Sequence, residues 1–103
     1  MTYSVNEAYE GVRFEWDVAK SARNVRERGL PFSVSPALFE RPALVTRDQR
    51  KDYGEERFRL IGSVGPAILV CVYTIRPDGN CRIISLRVAN RRERDAYRSA
   101  YPG

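Results

Sequence analysis

The sequence predicts an α+β fold, in which two N-terminal helices and one C-terminal helix pack on a curved antiparallel sheet of about four to five strands. Two observations predict this class. Consecutive strand-like segments joined by short turns fill most of the second half of the chain, and helix signals occur only before and after them. The length of 103 residues suits one domain, which we place at residues 12–103 behind a polar, flexible extension of residues 1–11.

The first predicted elements are a short strand and a helix. VRFEW, at residues 12–16, alternates in polarity as short strands do, and Trp16 is expected in the core. Asp17 follows as a suitable N-cap, and Gly29 suits the position just past the end of a helix over residues 17–28. One face of this helix is predicted to be apolar, because three residues share it: Val18, Ala22 and Val25.

The remaining elements follow from turn and capping signals. Ser35-Pro36 predicts a short helix at 36–40, and residues 49–54 form a polar turn. Pro77-Asp78-Gly79-Asn80 predicts a hairpin, since Asp-Gly tolerates positive φ. Asn90 and Glu93 have the spacing of a capping box at the start of the last helix. Four strands are predicted between these signals, at residues 43–48, 55–64, 67–76 and 81–88.

The charge of the chain is concentrated in its second half. The net charge is +5; residues 57–103 carry nine arginines and three acids, whereas residues 1–56 carry nine basic and ten acidic residues. Guanidinium groups match phosphate oxygens in two-point contacts, so this half favours a polyanion such as nucleic acid as partner. A charged, solvated surface without a partner is the alternative interpretation.

Composition excludes several classes of site. The chain has no histidine and no Cys-x-x-Cys motif, so we expect neither a metal site nor a cofactor. Cys71 and Cys81 lie in apolar stretches and are expected to be buried free thiols, which suits a reducing compartment. No apolar run is long enough to span a membrane, and the N-terminus lacks the pattern of a signal peptide. We therefore expect a cytoplasmic protein without membrane contact.

RNA cleavage is a reaction that the available residues can catalyse without histidine. The 2′-hydroxyl of RNA is itself the nucleophile, so a protein needs only to align it, neutralise the charge of the transition state and assist proton transfer. Arginines supply the neutralising charge, and a carboxylate or a tyrosine can assist with the proton.

Residues suited to this chemistry occur at spacings that place them on common faces. Ser85 and Arg87 share one face of the last strand, whereas Arg82 points to the other face. Two further groups each share a face: Glu55, Arg57 and Arg59 on a strand, and Arg91, Arg94 and Arg98 on the last helix. The alternative interpretations are surface ion pairs, a solvated helix face and, for Arg87, a structural salt bridge.

Several stretches, taken together and in order, resemble the BrnT family of type II toxins over about residues 14–97. The opening resembles the family's recurring E-W-D, lysine, asparagine and K/R-H-G-x-x-F pattern; here Arg28 stands where histidine is usual, so any proton-transfer role of that histidine is lost. The stretches are FEWDVAKSARNVRERGLPF, GEERF, IGSVG, VYT and RIISLRVANRRERDAY.

The resemblance implies a RelE-like fold and a metal-independent endoribonuclease that arrests translation. It also implies a tight complex with a cognate BrnA-like antitoxin, usually as a heterotetramer. The candidate catalytic residues are Glu55, Arg57, Arg82, Ser85, Arg87 and Tyr97. The candidate RNA-binding residues are Lys20, Arg59, Thr74, Arg76, Arg91, Arg94 and Arg98. A non-catalytic module that binds nucleic acid or antitoxin, and a generic interaction domain, remain as alternatives.

Overall fold

The computed structural model describes residues 2–4, 12–49 and 54–102. It confirms the predicted α+β class. The predicted turn at 49–54 lies mostly outside the described residues. The elements in chain order are β1 (Thr2–Ser4), β2 (Arg13–Glu15), α1 (Val18–Arg28), a 3-10 turn (Phe32–Val34), α2 (Ser35–Leu38), β3 (Leu44–Arg47), β4 (Phe58–Val64), β5 (Ala67–Ile75), β6 (Cys81–Val88) and α3 (Arg91–Ala100).

The strands form one sheet in the order β1-β2-β6-β5-β4-β3. Strands β3 to β6 are an antiparallel meander, as their short turns predict. In contrast, β2 pairs with β6 in parallel, because the intervening chain first crosses to the far edge of the sheet and then returns strand by strand. Strand β1, within the segment expected to be flexible, adds a sixth strand against β2; residues 5–11 lie outside the described residues.

The two faces of the sheet carry different layers. One face, covered by α2 and the 3-10 turn, holds the main core, which includes Phe14, Trp16, Leu38 and Tyr73. Gly62 lies where α2 approaches β4, and a side chain there would meet Leu60 and Leu38. The opposite face, called here the α3 face, has a smaller core of Ile68, Val70, Ala89 and Tyr97.

Helix α1 forms as predicted at its ends but packs differently. The Asp17 carboxylate accepts bonds from the backbone N–H groups of Ala19 and Lys20, and Gly29 ends the helix at φ 71°. The predicted apolar face is wrong as a packing face, since Val18 is 54% and Val25 is 45% exposed.

Polar side chains attach α1 to the domain instead. The Asn24 amide donates to the Leu30 and Leu86 carbonyls at 2.8 and 2.9 Å, and the Ser21 hydroxyl accepts from the Phe32 N–H at 3.0 Å. These bonds satisfy backbone groups at the edge of β6 and in the segment that follows α1.

Both cysteines are buried free thiols, as predicted. Burial raises the pKa of Cys71 and of Cys81 to about 12, which disfavours the nucleophilic thiolate form. Within the described residues, no helix has the length and apolar character needed to cross a membrane.

Candidate functional site

A β-bulge in β6 determines which side chains reach the α3 face. In the pairing of β5 with β6, Val72 lies opposite Ser85 and Tyr73 lies opposite Ile83. Ile84 is therefore an extra residue on β6 with no partner on β5. Such a bulge shifts the alternation of side chains by one position.

The bulge places Arg82 on the same face as Ser85 and Arg87. Arg82 lies opposite Thr74 and Arg87 lies opposite Val70, and these two β5 residues share the α3 face. The expectation that Arg82 points to the other face was wrong. It assumed that side chains alternate strictly along β6, and the extra residue of the bulge interrupts that alternation. The shared face of Ser85 and Arg87 is confirmed.

Guanidinium groups gather on the α3 face beside the N-terminus of α3. We call this set the arginine cluster; its members are Arg57, Arg59, Arg76, Arg82 and Arg87. Among the described residues, the carboxylates of Glu15, Glu55 and Glu93 contact it. These described groups, five positive and three negative, have a net charge of +2, which favours an anionic ligand. Within the described residues no group of acidic, histidine or cysteine side chains could hold a metal ion.

Two glutamates connect three members of the cluster, Arg57, Arg76 and Arg82, through ion pairs. Glu55 lies 3.1 Å from the Arg57 Nε and 3.8 Å from an Arg76 nitrogen. Glu15 lies 3.9 Å from a nitrogen of Arg76 and 3.9 Å from one of Arg82. Only the contact between Glu55 and Arg57 has hydrogen-bond length. The longer contacts hold the guanidinium groups of Arg76 and Arg82 close together and still allow them to bind a phosphate.

Arg87 makes a much tighter pair than the other members. Its two terminal nitrogens each donate to one oxygen of Glu93 at 2.8 Å. Glu93 also accepts from the Asn90 backbone N–H, completing the predicted capping box of α3. The hydrogen bond from Arg87 lowers the pKa of Glu93 to about 2. Arg87 therefore joins β6 to α3, in agreement with the alternative interpretation of this residue as part of a structural salt bridge.

Arg59 and Ser85 lie in one row across the sheet, on either side of Val72. Arg59 forms no ion pair with a carboxylate of the described residues, although its charge contributes to the lowered pKa of Glu93. Ser85 is exposed. This row therefore presents a guanidinium group and a hydroxyl to a ligand.

Thr74 positions the segment that carries Glu55. Its side chain is 3% exposed, and its hydroxyl donates to the Glu56 carbonyl at 2.6 Å. The hydroxyl is thus used within the protein, and it fixes the start of β4 against β5.

Tyr97 lies apart from Arg82. Its buried hydroxyl is 3.1 Å from that of Ser63, which lies opposite Ile68 on β5. Arg82 lies opposite Thr74, six residues further along the same strand. At about 3.3 Å per residue the two positions are about 20 Å apart along the sheet, so the structure does not bring the Tyr97 hydroxyl to Arg82.

The three arginines of α3 have different surroundings. Arg91 is exposed and lies 4.0 Å from Asp95. Arg94 donates to the Ala89 carbonyl at 2.8 Å. Arg98 lies at the other end of the helix, in a separate cleft.

Lys20 lies on α1, on the other side of β6 from β5. It lines a cleft of about 180 Å³ together with Arg28 and Ser85. Arg28, at the position where the resemblance expects histidine, therefore lies near Ser85.

Glu15 is the site residue that the sequence reasoning missed. Its contacts with Arg76 and Arg82 depend on the parallel pairing of β2 with β6. The available signal was its place in the E-W-D motif.

The family resemblance is confirmed by a family model described as "Ribonuclease toxin, BrnT, of type II toxin-antitoxin system", which matches residues 16–93. The chain belongs to this family. The matched region contains every member of the arginine cluster together with Glu55 and Glu93.

A solved structure supports the fold of the family member. The crystal structure of the Brucella abortus ribonuclease toxin BrnT is 24% identical, with a TM-score of 0.62; the match covers 76% of this chain and 96% of that chain. At this identity the likeness shows the shared fold. No curated protein matches the chain.

Proposed function

We propose that the protein is the toxin of a type II toxin-antitoxin system and a RelE-like endoribonuclease that cleaves RNA without a metal ion. The observation that carries this proposal is the gathering of five guanidinium groups on one sheet face, with net positive charge and an exposed serine among them. Membership of a family described as ribonuclease toxins supports the reaction class.

The arginine cluster can hold a strained phosphodiester. Arg82 and Arg59 present guanidinium groups to the non-bridging oxygens, where charge increases as the 2′-oxygen attacks phosphorus. The P–O5′ bond breaks, leaving a 2′,3′-cyclic phosphate and a 5′-hydroxyl. The leaving 5′-oxygen takes a proton from water, and the hydroxide that results removes the proton that the carboxylate base accepted from the 2′-hydroxyl.

Glu55 is the carboxylate we assign to accept the proton of the 2′-hydroxyl. Glu93 is a poor choice, because a carboxylate with a pKa of about 2 is a weak base. Glu55 is held by Arg57 at 3.1 Å, and the Thr74 bond to Glu56 fixes its segment. Arg57 is then a positioning residue that orients the base.

A non-catalytic module is the second candidate, and a specific observation favours it. Two expected catalytic residues are engaged within the protein: Arg87 by Glu93, and the Tyr97 hydroxyl by its contacts beneath α3. An inactivated toxin that binds RNA or antitoxin would have this arrangement.

An antitoxin would inhibit by covering the arginine cluster. The net positive charge of the cluster suits an acidic segment, which would compete with RNA for the same guanidinium groups. We propose a BrnA-like antitoxin that forms a heterotetramer with this toxin in the cytoplasm, and arrest of translation when the toxin is free.

Cleavage in the absence of metal ions distinguishes the two candidates. We expect the purified protein to degrade RNA in EDTA and to leave 2′,3′-cyclic phosphate ends, because the reaction uses the 2′-hydroxyl and arginine charge. Mass spectrometry of the fragments identifies these ends. An RNA with 2′-O-methyl groups throughout is the control and should stay intact. Intact unmodified RNA at high concentrations of a demonstrably folded protein would reject the nuclease proposal and favour the binding module.

A further inference from the structure

A second cleft lies on the α3 face, at the end of α3 far from the arginine cluster. It has a volume of about 810 Å³, within the usual range of small-molecule sites. Its walls come from the β4–β5 turn, the segment after α2 and the C-terminal end of α3. Its lining includes Arg41, Pro42, Ser63, Arg98 and Tyr101.

The cleft has a fixed aromatic surface. The Tyr101 hydroxyl donates to the Ala43 carbonyl at 3.1 Å, and its ring centroid lies 5.3 Å from that of Tyr97. Tyr97 is held in turn by donation to the Pro42 carbonyl at 3.2 Å. Tyr101 is still 37% exposed, so a held aromatic ring is available to a ligand.

Two guanidinium groups border this aromatic surface. Arg41 and Arg98 both line the cleft, and neither forms an ion pair with a carboxylate of the described residues. No acidic residue is among the described residues that line the cleft. An aromatic ring beside two available cations suits a ligand with a flat π-system and a phosphate, which is the chemistry of a nucleotide.

The cleft is continuous with the arginine cluster along two elements. Ser63 of the cleft and Arg59 of the cluster lie on the same face of β4, four residues or about 13 Å apart. On α3, Arg91, Arg94 and Arg98 share one side of the helix and lead from the cluster to the cleft. A single strand of RNA lying in the cluster can reach the cleft within a few nucleotides.

We propose that this cleft is a second RNA subsite, which binds one nucleotide of single-stranded RNA outside the cleaved bond. The base stacks on Tyr101, and Arg41 and Arg98 bind the adjacent phosphate. The inference rests on the proposed function for its biological role, but binding in the cleft is measurable without cleavage.

The test is a titration of the protein with adenosine 5′-monophosphate and with ribose 5-phosphate, followed by NMR. We expect the signals of Tyr101 and Arg98 to shift with the nucleotide, and ribose 5-phosphate to bind about tenfold more weakly because it has no base to stack. Tyr101→Ala should reduce nucleotide binding to the level of ribose 5-phosphate. Tyr101→Phe keeps the ring but loses the bond to the Ala43 carbonyl, so it should bind the nucleotide more tightly than Tyr101→Ala and no more tightly than the unchanged protein. Arg98→Ala should weaken both ligands.

Arg92→Ala is the matched control, since it removes an exposed arginine of α3 that does not line the cleft. It should bind both ligands normally. Equal binding of the two ligands, or nucleotide shifts confined to residues outside the cleft, would overturn the proposal. Shifts in the cleft on addition of the antitoxin, without nucleotide binding, would show a protein-docking surface instead.

Cleavage assays separate this inference from the proposed function. Tyr101→Ala should raise the KM for a long RNA about tenfold and leave kcat unchanged. Nucleotide binding without any RNA cleavage would retain the subsite and reject the nuclease. Cleavage without nucleotide binding in the cleft would reject the subsite and retain the nuclease.

Discussion

Replacing Arg82 with alanine is expected to lower RNA cleavage by about 100-fold or more, the usual effect of removing one donor that stabilises a transition-state anion. Arg82 is fixed on β6 between β2 and β5, and it is 40% exposed. Its ion pair with Glu15 is 3.9 Å long, so a phosphate can replace that contact. Single-turnover cleavage of a labelled RNA measures the effect, and thermal unfolding checks that the domain remains folded.

Two further variants make this result specific. Arg82→Lys keeps the charge but loses the planar fork, so we expect cleavage between that of the wild type and that of Arg82→Ala. Arg92→Ala removes an equal charge outside the cluster and should leave cleavage unchanged. Equal losses in Arg82→Ala and Arg92→Ala would mean that overall charge, and not the cluster, determines the rate.

Replacing Arg87 with alanine is expected to destabilise the protein by about 1–3 kcal/mol at pH 7. The change leaves the Glu93 carboxylate, whose side chain is only 12% exposed, without its two-point partner. It also weakens the connection of β6 to α3. Urea unfolding measures this loss of stability. The cleavage rate of the variant must then be corrected for the fraction of protein that is unfolded.

The same pair predicts how stability depends on pH. The pKa of Glu93 is lowered from 4.5 to about 2 in the folded protein, so its stabilisation is complete above about pH 4.5 and is lost as the pH falls towards 2. The difference in stability between wild type and Arg87→Ala should therefore narrow over this range. Asp95→Ala, which breaks the exposed contact with Arg91, should have little effect at any pH. If the stability difference between wild type and Arg87→Ala were the same at pH 3 as at pH 7, the ion pair would not be the cause of that difference.

Local signals made several features of the fold predictable. The Asp17 cap, the Gly29 helix end and the Asn90–Glu93 capping box each depend on a few adjacent residues, and the structure confirms them. The strands of the meander follow from apolar runs separated by turn residues. The family resemblance added an ordered set of motifs that no single stretch could supply.

Features that depend on long-range pairing were not predictable. The bulge at Ile84 changes the face of Arg82, and a pattern of alternating residues contains no sign of it. Glu15 joins the site only because β2 pairs with β6 across the chain. The spacing of Val18 and Val25 correctly predicted a helix, but spacing alone does not say whether anything packs on that face.

The most direct test of the central claim is a crystal structure of the protein with a short RNA whose 2′-hydroxyl groups are methylated, so that it binds without being cleaved. We predict a phosphate within hydrogen-bond distance of the guanidinium groups of both Arg82 and Arg59. RNA bound elsewhere, with the Glu15 contacts of the arginine cluster unchanged, would contradict the account.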